Sequence, residues 1–255
     1  MEYKSRFSEA TRVDLLEKSK NCIWMKEGLP GLQYLTEARG LSEEIIRSFH
    51  LGFIPHNVRN QLAGRIIIPI YDASGNLVVL TSRLIKPYES KLPVYWHEKY
   101  KKNSYLFGLD HAKRYMREWE FATICEGQFD VLQAHNHGIT NTVGLCCTML
   151  SDIQLSLIHR YCDEIVLILD ADENEAGQNA TEKIMKTTLR RAQLKPDSIG
   201  DWTQSFHSHY KIAPIALPRG MDPDAYLRQN GDKELKSKIK AKIMKLRENQ
   251  YVDQY

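Results

Sequence analysis

The chain has 255 residues, 35 Lys/Arg against 32 Asp/Glu and a net charge of +3, with 42% hydrophobic residues, enough for the core of one large domain or two small ones. Its apolar runs stop short of the roughly 18 to 20 residues that cross a bilayer, and the polar start MEYKSRFSEATR lacks a secretory pattern, so a soluble, cytoplasmic protein is expected. The five cysteines include no C-x-x-C pair, which excludes a cysteine-based zinc ribbon and fits buried thiols in a reducing compartment.

Taken in chain order, "SEATRVDLLEKSKNCIWM" predicts a helix with Val13, Leu16, Lys20 and Ile23 on one side. "LSEEIIRSFHLG" predicts a second, with Ser42 as N-cap, Glu43 and Glu44 in its first turn, and Gly52 as its stop. "RIIIPIYDASGNLVVLTSRLI" changes period and predicts a β-hairpin, Pro69 pointing to an edge or bulged strand. From Phe121 short apolar runs alternate with helical stretches: strands at 121–125, 141–144, 164–169 and 211–216, helices near 128–136, 151–161, 176–192 and 232–248. That alternation predicts an α/β fold with a mainly parallel sheet. Charge divides the same way, since residues 1–115 carry 18 Lys/Arg against 12 Asp/Glu and residues 116–255 carry 17 against 20. Scatter in surface charge would give such a split, and so would a nucleic-acid or nucleotide surface beside a metal site.

Three of these strands run into acids. Glu126 follows the first, with Asp130 one helical turn later; Asp170 and Asp172 follow the third; Asp222 and Asp224 follow the last. Each alone would serve as a cap or solvated loop acid, but sites of open α/β sheets lie at the carboxyl ends of strands. Carboxylates without His or Cys companions select a hard divalent cation, Mg²⁺ or Mn²⁺, over zinc. Gly127 and Gly177 suit close approach of backbone to a metal or phosphate, or a simple turn.

The Glu-Gly before a helix, the Asp-x-Asp after an apolar strand and the A-G-x-x-A behind it resemble the Toprim domain shared by bacterial primases, topoisomerases and some nucleases. "YLTEARGLSEEIIRSFHLGFIP", "GRIIIPIYDASGNLVVLTSRLI", "YLFGLDHAKR" and "GMDPDAYLRQNG" resemble, in order, segments of the catalytic core of DnaG-type primases. The resemblance implies a Toprim domain at 116–231 preceded by a smaller basic α+β subdomain at 1–115; past it, Leu235, Ile239, Ile243 and Leu246 recur at helical spacing among lysines and predict a basic amphipathic helix at 232–255. The resemblance also implies an RNA polymerase that makes short primers on single-stranded DNA from ribonucleoside triphosphates. Glu126, Asp130, Asp170, Asp172, Asp222 and Asp224 would hold Mg²⁺ or Mn²⁺, with Glu126, Asp170 and Asp172 catalytic. Arg39, Arg65 and Arg83, with Lys91, Lys101 and Lys102, would face template and nucleotide phosphates.

The chain departs from the family at Val94, where a lysine usually follows the proline, at Thr81 and Ser82, where glycines are usual, in a shorter spacer before "GRIIIP", and in the two extra residues of "DADENEAG". These differences suggest a compact member from a phage, plasmid or other mobile element. The family's zinc-binding module and helicase-binding bundle have no counterpart here, so a zinc module and a replicative helicase are expected in trans, or the chain is an excised core. A Toprim nuclease would use the same acids with water as the nucleophile, and a non-catalytic nucleic-acid-binding subunit would need only the basic half. No recognisable cleavage domain supports a topoisomerase.

Overall fold

The computed structural model describes residues 7–58, 61–86, 92–147, 149–168 and 211–252. The chain divides into two compact units, Met1–Lys101 and Lys102–Tyr255, a division upstream of the boundary at 115 that the resemblance implied.

In the first unit, helix α1 (Glu9–Cys22) starts where the Ser8 hydroxyl accepts the Thr11 N–H at 3.1 Å. Its buried face is Arg12, Leu16, Ser19 and Ile23, spaced at 3.6 residues, whereas Val13 stands about 100° away and is 45% exposed. The apolar stripe predicted through Val13 is therefore displaced by one position, because Arg12 is buried as half of an ion pair. Its Nε and Nη2 donate to the Glu98 carboxylate at 3.0 and 3.1 Å, and that carboxylate also accepts the Leu80 N–H at 2.9 Å. A short helix α2 (Leu29–Gln33) passes into a π-turn at Tyr34–Ala38.

Helix α3 (Glu43–Ser48) has the predicted Ser42 cap, which accepts the Ile45 N–H at 3.3 Å. Gly52 is not its stop. The left-handed residue is His50, at φ 53°, and Gly52 begins strand β1 (Gly52–Ile54), where a Cβ would come within 2.2 Å of the Ser19 hydroxyl. Its bare backbone is what lets α1 lie directly on β1.

The predicted hairpin forms as β2 (Arg65–Tyr71) and β3 (Leu77–Leu84), joined by a turn in which Asp72 accepts the Ser74 and Asn76 N–H groups. With β4 (Tyr95–His97) they make an antiparallel sheet ordered β1-β2-β3-β4. Pro69 thus sits in an inner strand, contrary to a simple edge reading. β1 pairs only with Arg65–Ile67, leaving the Pro69 end of β2 with one neighbour, and the ladder is irregular at Ile70/Tyr71. Leu16, Ile54, Leu62, Ile67 and Leu80 form the core beneath.

In the second unit, α4 (Leu109–Trp119) leads to β5 (Phe121–Cys125), α5 (Gln128–Asn136), β6 (Thr142–Gly144), α6 (Asp152–His159) and β7 (Glu164–Ile168). After the next described residue, 211, come β8 (Lys211–Ile215), α7 (Pro223–Asn230) and α8 (Lys233–Val252). Among the described residues this unit's four strands are parallel, in the order β6-β5-β7-β8. β7 is buried at every position, as expected of a strand covered on both faces. α8 packs on β7 and β8 and buries Leu235, Ile239 and Ile243, each no more than 6% exposed, while Leu246 is half-buried. The helix predicted at 176–192, Gly177 and Leu169 lie outside the described residues. Among those described, no helix is long and apolar enough to cross a membrane.

Candidate functional site

The strand order places β5 and β7 side by side at the centre, with the chain leaving β5 toward β6 on one flank and β7 toward β8 on the other. This is a topological switch point, and in open α/β sheets ligands bind outside the carboxyl ends of the two strands that flank it. Glu126 is the first residue past β5, half-buried, and its carbonyl accepts the Cys146 N–H at 3.0 Å. Asp170 lies two residues past the end of β7. Asp170 and Asp172 are outside the described residues, as is Lys91.

The remaining acids divide by how far the backbone has already used them. Asp130 is 5% exposed and fastens two helix starts: Oδ2 accepts the Gly127 N–H at 2.9 Å, at the head of its own α5, and Oδ1 accepts the Asp224 N–H at 3.0 Å, in the first turn of α7. Both helix N-termini direct N–H groups and positive dipole ends at this carboxylate. Gly127 leaves room for that bond, since a Cβ would stand 2.8 Å from Asp130 Oδ2. Asp222 caps α7 by accepting the Ala225 N–H at 2.6 Å. Asp224 is 2% exposed and takes Arg228 in a two-pronged pair at 3.0 and 3.3 Å. The structure therefore brings the Glu126–Asp130 and Asp222–Asp224 segments together through one carboxylate.

Among the described residues no group of three or more His, Cys, Asp or Glu side chains is arranged as a metal cage. The donor chemistry nevertheless suits a hard divalent cation, which needs one or two carboxylates and keeps its waters. Of the described acids Glu126 is the one at the switch point. Asp130, Asp222 and Asp224 spend carboxylate oxygens on N–H groups or Arg228.

In the first unit, Arg39 Nε and Arg83 Nε both donate to the Tyr34 hydroxyl, at 2.9 and 2.8 Å. Arg83 also bonds the Tyr95 hydroxyl and lies 4.9 Å from that ring centroid. Burial raises the Tyr95 phenol above its usual range, against the opposing pull of the Arg83 cation. Two half-buried guanidiniums on one phenolic oxygen concentrate positive charge, and the planar fork of each suits phosphate oxygens. Tyr34 and Tyr95 are the members that sequence reasoning missed. Tyr34 precedes Arg39 by five residues in a readable segment, whereas Tyr95 meets Arg83 only through the β3–β4 register.

Arg65 has a different position from the expected phosphate-facing one. It is 1% exposed, and its guanidinium donates to three main-chain carbonyls, Gln61 at 3.2 Å, Val94 at 3.0 Å and Pro93 at 2.6 Å. It clamps the segment entering β4 onto β2, and burial lowers its pKa. Lys101 is exposed and Lys102 half-buried, on either side of the division between the units.

Residues 123–227 match the Toprim-like family model. The chain is 27% identical over 236 residues to the DNA primase of Aquifex aeolicus, covering 80% of this chain and 43% of that protein. It is 28% identical over 262 residues to the DNA primase of Rickettsia conorii, covering 89% and 41%. It thus spans less than half the length of these relatives. A solved structure of the DnaG primase catalytic domain bound to single-stranded DNA superposes with a TM-score of 0.75 at 21% identity, over 91% of this chain and 78% of that one. The chain has the fold of the DnaG catalytic core, and by sequence it is similar to the bacterial DNA primases and, over residues 123–227, to the Toprim-like family.

Proposed function

We propose that this chain is the catalytic core of a DNA-dependent RNA polymerase of the primase type, joining ribonucleoside triphosphates into short primers on single-stranded DNA. The observation that carries this reading is the place of Glu126, directly after β5 at the switch point whose other strand runs toward Asp170 and Asp172. Carboxylates alone favour Mg²⁺ or Mn²⁺ there, held by Glu126, Asp170 and Asp172 with support from Asp130, Asp222 and Asp224. A divalent ion so bound supplies Lewis acidity for the attacking hydroxyl and for phosphate charge.

The protein's own groups do the rest. Asp130 fixes Gly127, and with it the turn that carries Glu126, against the start of α7. Arg39 and Arg83 grip nucleotide or template phosphates, with Lys91, Lys101 and Lys102 adding charge. Arg65 acts at one remove, holding the backbone beside Tyr95. The DnaG domain solved with single-stranded DNA supports the choice of template. A replicative helicase and a zinc-binding module complete the partners implied.

The test is incubation of the full chain with single-stranded DNA, Mg²⁺ or Mn²⁺ and labelled ribonucleotides. Labelled oligoribonucleotides that depend on the template are expected. Cleavage of the DNA in their place would identify a nuclease, and binding with neither product a non-catalytic subunit.

A further inference from the structure

Cys146 and Cys147 are adjacent residues just past the carboxyl end of β6, on the sheet edge that carries Glu126, and both are half-buried rather than enclosed. The Cys146 N–H donates to the Glu126 carbonyl at 3.0 Å, and the Gln128 side-chain amide lies 3.9 Å from Cys146 Sγ. Cys147 Sγ donates to the Met149 carbonyl at 3.1 Å and faces the Gln154 side chain, whose Nε2 is 3.9 Å away. Gln154 is itself anchored on the Tyr105 and Leu145 carbonyls at 2.8 and 3.0 Å. Cys146 has φ 55°, the left-handed region that a residue with a Cβ enters at a cost. Two thiols, a strained backbone and a direct hydrogen bond to the candidate catalytic glutamate thus fall in one short loop.

We infer that Cys146 and Cys147 form a vicinal dithiol that peroxide closes reversibly and that trivalent arsenicals bridge, altering the backbone that holds Glu126. In the oxidation one thiolate attacks the O–O bond of hydrogen peroxide, giving a sulfenic acid and, with a proton, water. The neighbouring thiol then attacks the sulfenic sulfur, an S–S bond forms and a second water leaves. Two electrons and two protons have passed to the peroxide. Adjacent Cα atoms across a trans peptide are about 3.8 Å apart, below the roughly 4.4 to 6.8 Å that unstrained disulfides span, so the closed pair is strained and readily reduced. It therefore behaves as a switch, not a structural cross-link. Closing it draws Cys146 away from Gln128 and Cys147 from Gln154 and changes the backbone at the residue that bonds Glu126. Cys125 and Cys162 are buried, and burial with the nearby Asp163 and Glu164 carboxylates pushes the Cys162 thiol up to about 12, which withholds its thiolate.

The thiol chemistry stands apart from the proposed polymerase activity; only its effect on primer synthesis rests on that reading. Reduced full-length protein is treated with hydrogen peroxide or phenylarsine oxide and the peptide bearing residues 146 and 147 is weighed. The expected result is a loss of about 2 Da, reversed by dithiothreitol, and one arsenical per chain with release of one water. Cys146→Ser and Cys147→Ser, close in size to the native residues, should each abolish both while melting like wild type. Hydrogen exchange of the 123–130 segment should rise severalfold on closure in wild type alone. Oxidation of each sulfur to separate sulfinic acids, arsenical binding that persists in Cys146→Ser, or closure that leaves exchange at 123–130 unchanged would overturn the inference.

Discussion

In the antiparallel unit, Arg65 and Arg83 occupy neighbouring rungs of one ladder, Arg65 opposite Leu84 and Arg83 opposite Ile66. At the edge of the parallel sheet, Glu126 and Asp130 are four residues apart around one strand-to-helix turn. Each unit therefore presents two like charges in nearly the same place, and each uses them differently. Arg65 and Asp130 are enclosed and spent on the backbone, one on three carbonyls and the other on two helix-start N–H groups. Arg83 and Glu126 are half-buried, and Arg83 bonds the Tyr34 and Tyr95 hydroxyls. Charge and position in the motif do not separate the two members of each pair; burial does.

The largest effect should come from the most committed charge. Arg12→Ala removes a cationic partner from Glu98, whose side chain is 0% exposed, and should cost about 3 to 5 kcal/mol in urea unfolding; a loss under about 1 kcal/mol would show that such commitment does not matter here.

His135 extends the comparison to pH. It is 7% exposed, its Nε2–H donates to the Thr142 carbonyl at 2.9 Å, and burial lowers its pKa to about 4, with the His111 ring 6.4 Å away also disfavouring the charge. The folded form binds the proton less well than the unfolded chain, so the stability tied to the neutral ring is complete above about pH 6.5 and fades as pH falls toward 4. Up to about 3 kcal/mol is at stake across that window. His135→Gln should flatten the slope of stability against pH; an unaltered slope would remove His135 from the committed set.

The two arginines give the sharpest paired test. Arg65→Ala removes charged bonds to three carbonyls and should cost about 2 to 3 kcal/mol of stability. Arg83→Ala should stay within about 1 kcal/mol of wild type, weaken binding of single-stranded DNA, and reduce the salt dependence of binding by about one phosphate contact. The reverse pattern would break the distinction. Asp130→Ala should be the mildest of the stability losses, about 1 to 2 kcal/mol for two helix starts left uncapped, followed by thermal or urea melts.

The parallel unit was the more legible in sequence because a strand covered on both faces reads as a nearly continuous apolar run, as in "EIVLI" at 164–168 and "FATIC" at 121–125. The cap at Ser42 read locally, its hydroxyl serving an N–H three residues on, whereas Asp222, expected among the metal-holding acids, caps α7. The misses are long-range. Nothing near Arg12 announces Glu98, 86 residues away, and so the apolar stripe of α1 was drawn through Val13. Nothing near Gly52 announces Ser19, so a close packing contact was taken for a helix stop. Arg65 and Arg83 look alike in sequence because the carbonyls of Pro93 and Val94 that separate them come from the far side of the hairpin.

The most direct test of the account is Glu126→Gln, assayed together for melting temperature and for template-dependent incorporation of labelled ribonucleotides in Mg²⁺ or Mn²⁺. A group held for a ligand and not for the fold should leave the melting temperature within about 2 °C of wild type. Incorporation should fall by about 10²-fold or more. Wild-type incorporation by a folded Glu126→Gln protein, or a collapse of stability like that of Arg12→Ala, would contradict the assignment of Glu126 as the carboxylate presented at the switch point.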